Sequence, residues 1–185
     1  MASSADIETV LVNAVAGILY PAGASGFAGQ VSIARGWPTE ADIRLAVSEG
    51  VSLIGIYAVA GMAKDITASL QSWQTLSPGI GALEVGRVEQ LFRLDLWASS
   101  PAIRDALLRL LEPGLKFQPR YPLPDGSTAT LMKLQPSGPD DRPSRANEWA
   151  QSLDLTLHYP VIFTQTQPVM TTASLNEQPI INITP

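Results

Sequence analysis

Hydrophobic and polar residues alternate along residues 87–99, RVEQLFRLDLWAS. The apolar members share one side and are Val88, Phe92, Leu94 and Leu96. Glu89, Arg93 and Asp95 fall on the opposite side. A period of two is typical of a half-buried strand. The alternation returns in residues 152–163, where we predict a second strand.

Apolar residues recur at helical spacing in three other segments of the chain. The spacing predicts helices over residues 6–19, 40–49 and 101–112. Thr39 and Ser100 stand immediately before the second and third of these segments. Both residue types are good N-caps, because a side-chain hydroxyl can accept from the free amide groups of the first turn.

Short apolar runs between turn residues predict the remaining strands, at 31–35, 51–59, 80–98, 114–119 and 128–134. The strand at 80–98 is either continuous or broken near Gly86, and residues 64–76 favour an irregular or edge strand. Pro113 and Gly114 should end the third helix.

These elements predict an α+β fold with one mainly antiparallel sheet. The N-terminal helix and two further helices should pack on one face of that sheet. We expect a single domain over residues 1–164. Residues 165–185 are polar and rich in threonine, so we interpret them as an extended arm.

The amino-acid composition argues against several classes of function for this protein. The 185 residues are 45% hydrophobic and 16% charged, with a net charge of −5, which argues against a free DNA-binding domain. The chain has no cysteine, so disulfides, thiol catalysis and cysteine zinc sites are excluded. The sequence shows no secretory signal and no apolar run long enough to span a membrane, so we expect no membrane partner.

Few residues in the sequence are candidates for catalysis or for binding a metal or a cofactor. His158 is the only histidine, so a histidine metal cluster is excluded. Asp140 and Asp141 offer oxygen ligands but lack the alternating spacing of a calcium loop. The glycine run at 23–29 follows a helix, precedes a strand and has no lysine, unlike a phosphate loop. We therefore expect no catalytic residue, metal or cofactor, and we expect the protein not to be an enzyme.

Three segments are candidates for contact with other proteins. They are the connection 60–74, the loop 135–147, which is rich in proline and charge, and the arm 165–185. The candidate interface residues in or beside them are Lys64, Asp65, Trp73, Asp140, Asp141, Arg142, Arg145, Trp149 and Met170.

A series of motifs follows the N-terminal helix in a fixed order. They are residues 31–62, VSIARGWPTEADIRLAVSEGVSLIGIYAVAGM; the strand ending in Leu96-Trp97; the helix opening at 100–105, SPAIRD; 123–131, LPDGSTATL; and 153–163, LDLTLHYPVIF. In this order the chain resembles the tail terminator and head–tail joining (neck) proteins of double-stranded DNA bacteriophages.

The resemblance implies a homo-oligomer, typically a hexameric ring, at the head-proximal end of the tail tube. Such a ring ends tube polymerisation and provides the surface that joins the head. Its implied partners are the tail tube protein, a head-completion or connector protein and, in a contractile tail, the sheath. Genomic DNA would pass through the lumen without specific binding. The implied location is the virion neck, after synthesis in the host cytoplasm.

Three alternatives stay open. The chain could be another neck component, such as a head-closure or tail-completion protein. It could be an assembly chaperone absent from the finished particle. It could also be a small hydrolase that uses His158 with a serine and an aspartate.

Overall fold

A computed structural model describes residues 4–23, 26–66, 73–77, 80–139 and 149–166. Within these residues lie three helices, α1 (Ser4–Leu19), α2 (Glu40–Ser48) and α3 (Pro101–Phe117). The strands in the same residues are β1 (Val31–Arg35), β2 (Ser52–Ala58), β3 (Lys64–Ile66), β4 (Trp73–Ser77), β5 (Ile80–Ala98), β6 (Arg120–Pro122), β7 (Thr128–Pro136) and β8 (Trp149–Thr166).

The strands form one sheet in the order β1-β2-β5-β8-β7-β6, and β3 and β4 also pair with β5. Only β1 and β2 run parallel among the described pairs, and α2 connects them. Every other described pair is antiparallel. The α+β class, the mainly antiparallel sheet and the N-terminal helix are therefore confirmed.

The main core lies between the sheet and the helices α1 and α3. Its fully buried members include Leu11 and Val15 of α1, Leu111 of α3, and Ile54 and Phe92 of the sheet. Each helix presents one apolar stripe, and each strand contributes every second side chain. The core thus explains both the helical spacing and the period-of-two alternation of apolar residues in the sequence.

Helix α2 packs on the opposite face of the sheet, which differs from the prediction that both later helices share one face. Its buried residues Ile43 and Val47 contact Leu53 and Trp97, which form a separate cluster. Leu53 precedes Ile54, so their side chains point to opposite faces of β2. Strand β2 is apolar on both sides, and periodicity alone could not assign α2 to a face.

The two longest strands, β5 and β8, pair along their full length. The register runs from Ile80 opposite Thr166 to Ala98 opposite Trp149. The β5 segment is continuous, and the irregularity foreseen near Gly86 is a register shift between Glu84 and Gly86. Strand β2 pairs with one end of β5, whereas β4 pairs with the other end.

The predicted end of α3 at Pro113 is wrong, and so is the strand predicted at 114–119. The helix continues through Pro113 to Phe117, and β6 follows at residue 120. The amide missing at Pro113 costs one helical hydrogen bond. Complete burial of Leu115 against the core offsets that loss.

Strand β8 ends at Thr166, so the predicted arm begins at the end of this strand. The rest of the arm lies outside the described residues. In the described part of the chain, no helix has the length and apolar character needed to cross a membrane.

Candidate functional site

The candidate site lies on the face of β5 and β8 that α1 and α3 leave uncovered. Leu94 faces the main core, so its neighbours Arg93 and Asp95 point to the other face. In β8 their register partners are Asp154 and Ser152. This surface, called here the polar face, therefore carries polar side chains that pair across the two central strands.

Arg93 and Asp154 form a bidentate ion pair. The distances are 2.7 Å from Nε to Oδ1 and 3.1 Å from Nη2 to Oδ2. The hydrogen bond to Asp154 raises the pKa of Arg93 further above its ordinary value. The two side chains are partly exposed, and such pairs contribute only about 0–1 kcal/mol. Their main effect is to fix the orientation of the guanidinium group.

Asp95 is a buried carboxylate with two hydroxyl donors. The Tyr57 hydroxyl donates to Oδ2 at 2.7 Å, and the Ser152 hydroxyl donates to Oδ1. Burial, and secondly the hydrogen bond to Asp95, raise the pKa of Tyr57 well above its usual value. Tyr57 therefore remains protonated and keeps donating. The three side chains connect β2, β5 and β8: Ser152 lies directly opposite Asp95, and Tyr57 reaches Asp95 diagonally from its position opposite Arg93.

A second polar row crosses the same face of the sheet six residues before Asp95. It consists of Lys64 of β3, Glu89 of β5 and His158 of β8. His158 Nε2 lies 2.7 Å from Glu89 Oε2, and the two residues are register partners. Lys64 of β3 is the register partner of Glu89 on its other side. The hydrogen bond to His158, with a smaller contribution from the charge of Lys64, lowers the pKa of Glu89.

Aromatic side chains close one end of the polar face. The Trp37 ring meets Tyr57 edge-on at 5.2 Å and Trp97 edge-on at 5.6 Å between ring centroids. Gly55 permits this arrangement, because a Cβ atom there would lie 2.8 Å from Cδ of Pro38. The absence of a side chain at Gly55 therefore lets the segment after β1 pack directly on the sheet.

A small cavity of about 150 Å³ lies beside these rings, bounded in part by Trp37, Arg93, Asp95 and Gln151. Both charged groups in its wall already have protein partners. An incoming ligand would have to compete with those partners. The geometry therefore favours a structural role for this end of the polar face.

The described residues contain no group of three or more His, Asp or Glu side chains that could hold a metal ion. The hydrolase alternative required His158 to approach a serine and an aspartate. His158 instead contacts Glu89, and Ser152 contacts Asp95.

The predicted interface residues fall into two groups. Lys64 and Asp65 are exposed on β3, and Trp149, half-buried, opens β8 opposite Ala98. Trp73 opens β4 and pairs with Leu83. The remaining five, which lie outside the described residues, are Asp140, Asp141, Arg142, Arg145 and Met170. The structure brings Lys64 to the polar row and leaves Trp149 at the other end of β8.

Sequence reasoning missed several exposed apolar side chains, of which four lie near the two outer edges of the sheet. Near β1 these are Trp37, 62% exposed, and Leu45, 59% exposed. Near β6 and β7 they are Phe117, 92% exposed, and Met132, 56% exposed. Phe117 was missed because the helix was predicted to end before it. Exposure of Leu45 could have been predicted from the sequence, because helical spacing places Leu45 on the opposite side of α2 from Ile43 and Val47.

Comparisons with protein-family models and with curated proteins find no match for this chain. The geometry of the polar face and of the sheet ends, together with the order of the sequence motifs, is therefore the basis for a functional proposal.

Proposed function

We propose that the protein is the subunit of a homo-oligomeric ring at the head-proximal end of a bacteriophage tail tube. The ring ends polymerisation of the tube and provides the surface to which the filled head joins. Six subunits are the expected number. The protein is made in the host cytoplasm and resides in the neck of the finished virion.

The observation that carries this proposal is that large exposed apolar side chains lie near both outer edges of the sheet. Trp37 and Leu45 lie beside β1, whereas Phe117 and Met132 lie near β6 and β7. A ring closes when one patch on each subunit meets a different patch on the next. Large exposed apolar side chains in groups are typical of association sites.

The order of sequence motifs supports the same function, because it resembles that of tail terminator and neck proteins. The proposed partners are the tail tube protein, a head-completion or connector protein and, if the tail contracts, the sheath. The net charge of −5 agrees with a lumen that lets DNA slide through by repelling its phosphates.

Electron microscopy of lysates from a nonsense mutant tests the proposal. Overlong or irregular tubes beside filled, tailless heads are expected. Tails of normal length that fail to join heads would move the protein to a head-closure or tail-completion role. Infectious particles of normal appearance would refute the structural role. Mass spectrometry of purified virions separates a resident subunit from a chaperone, which would leave no peptides.

The patch near β6 can be tested in the purified protein. Phe117→Asp places a charge on a 92% exposed ring and should weaken self-association at least tenfold, a loss of about 1.4 kcal/mol or more, without unfolding the chain. Ala102→Asp is the matched control, since it adds the same charge to the first turn of the same helix, where an acid is tolerated. Sedimentation equilibrium measures both. Equal association of the two variants would exclude Phe117 from the interface.

A further inference from the structure

An open groove lies between β1 and α2. It has a volume of about 510 Å³, and its walls include the small side chains Ser32 and Ala34 of β1 and the exposed Leu45 of α2. Trp37 closes one end. The groove therefore combines an apolar wall with a strand whose side chains leave space above the sheet.

The strand beside this groove has a free edge. Gly36 N–H donates to the carbonyl of Ile56 in β2, so the backbone groups of Ile33, three residues earlier, point away from β2. Among the described strands, only β2 pairs with β1. The Tyr20 hydroxyl accepts from Val31 N–H at 3.1 Å and covers the start of the edge. The edge beyond Val31 is open to a further strand.

We infer that residues 180–184 of a second copy of the chain add a strand to this edge of β1. Their sequence is IINIT, in which β-branched residues predominate and alternation puts Ile181 and Ile183 on one face. Pro179 and Pro185 flank the segment and, lacking an amide proton, limit ladder pairing to the residues between them. The five residues of the segment are therefore enough to pair with the open edge of β1 beyond Val31.

The chemistry of the segment fits the groove. Residues 178–185 have no charged side chain, so none of their side chains would bring a further ion beside Asp42 and Glu49 of the groove wall. Ile181 and Ile183 would fill the space above Ser32 and Ala34. Main-chain hydrogen bonds to the edge supply affinity, and the two isoleucines supply specificity.

The position of Thr166 explains why the strand comes from a second copy. Thr166 pairs with Ile80, at the end of β5 far from β2, which pairs with residues 92–97. Ile33 of β1 pairs with Ile54, and Ile54 pairs with Leu96, sixteen residues along β5 from Ile80. That separation is roughly 53 Å at about 3.3 Å per residue. Residues 167–179 span at most about 45 Å when fully extended. They are therefore shorter than the path along β5 to the chain's own β1, whereas a neighbour is free of this demand.

This inference rests on the head-to-tail association of the proposed ring and specifies one of its contacts. It can be tested without the virus, because the chain has no native cysteine. One full-length protein carries Leu45→Cys and a second, distinguishable by size, carries Ile181→Cys. The two are mixed and treated with a short bismaleimide. Arg44→Cys is the matched control, since Arg44 is exposed on the same helix but does not line the groove.

The expected result is a crosslinked heterodimer whose yield with Leu45→Cys is several-fold higher than with Arg44→Cys. Ile181→Lys should reduce self-association in sedimentation, whereas Thr172→Lys, in the same arm, should not. Equal yields at positions 44 and 45, no crosslink, or a Leu45→Cys/Ile181→Cys chain that crosslinks only within itself would overturn the inference.

Failure of the strand addition can be distinguished from failure of the proposed function. Rings seen by electron microscopy without the position-45 crosslink would reject the strand addition and leave the proposed function intact. A specific crosslink in a protein whose nonsense mutant yields normal particles would reject the neck function alone.

Discussion

Gly114 of α3 lies against Ile18 of α1, and its replacement by alanine should destabilise the protein. A Cβ atom at this position would lie 2.7 Å from Cγ2 and 3.0 Å from both Cγ1 and Cδ1 of Ile18. A contact below 3.0 Å requires either the Ile18 side chain or one of the two helices to shift. Ile18 is β-branched and half-buried, so its side chain has few alternative rotamers.

The magnitude follows from two opposing contributions. Alanine is favoured over glycine in a helix by up to about 1 kcal/mol. Inserting a methyl group into a packed contact costs about 1–3 kcal/mol. We therefore expect Gly114→Ala to lower the free energy of unfolding by about 1 kcal/mol. Ile18→Ala removes all three clashing atoms, so in that background Gly114→Ala should instead stabilise by about 0.5–1 kcal/mol.

Denaturant unfolding followed by circular dichroism gives the free energy of unfolding of the wild type, both single variants and the double variant. The expected signature is a change of sign and a coupling energy near 2 kcal/mol. The reasoning fails if Gly114→Ala has the same effect in both backgrounds, since the contact with Ile18 would then not limit the approach of α1 to α3.

Three further predictions concern the polar face and the start of α3. Tyr57→Phe removes one donor to buried Asp95 and should cost about 1 kcal/mol in unfolding free energy, with Ser152→Ala additive only in part. The pKa of Glu89 is lower in the folded state than its ordinary value of 4.5, so the charged carboxylate stabilises the protein at pH values above 4.5. This stabilisation is lost as the pH falls through the lower pKa of the folded state. Glu89→Gln should therefore destabilise at neutral pH and match the wild type at the acid end of a pH series. Ser100→Ala removes the cap of α3 and should cost about 1 kcal/mol in thermal unfolding.

Local chemistry in the sequence predicted the parts of the fold that depend on neighbouring residues. Thr39 and Ser100 cap α2 and α3 as expected, and the alternation in residues 87–99 assigns Arg93 and Asp95 to the face opposite the core. These outcomes follow from backbone geometry over a few residues. They required no knowledge of the partners across the sheet.

Features that depend on distant residues could not be predicted. The pairing of Glu89 with His158 needs the β5–β8 register, which joins residues 69 positions apart. The continuation of α3 through Pro113 depends on burial of Leu115 by elements elsewhere in the chain. The position of α2 depends on which face of β2 has space for it. Each is decided by tertiary packing, which overrides local propensity.

In the proposed ring, the distribution of charge and apolar surface favours contact through the edges of the sheet. On the polar face, Arg93 is paired with Asp154 and Glu89 with His158, so burying this face against a neighbour would desolvate groups that already have partners. At the sheet ends, by contrast, exposed side chains such as Trp37 and Phe117 gain from burial. The proposed ring would keep these paired charges in water and bury apolar surface that the isolated subunit exposes.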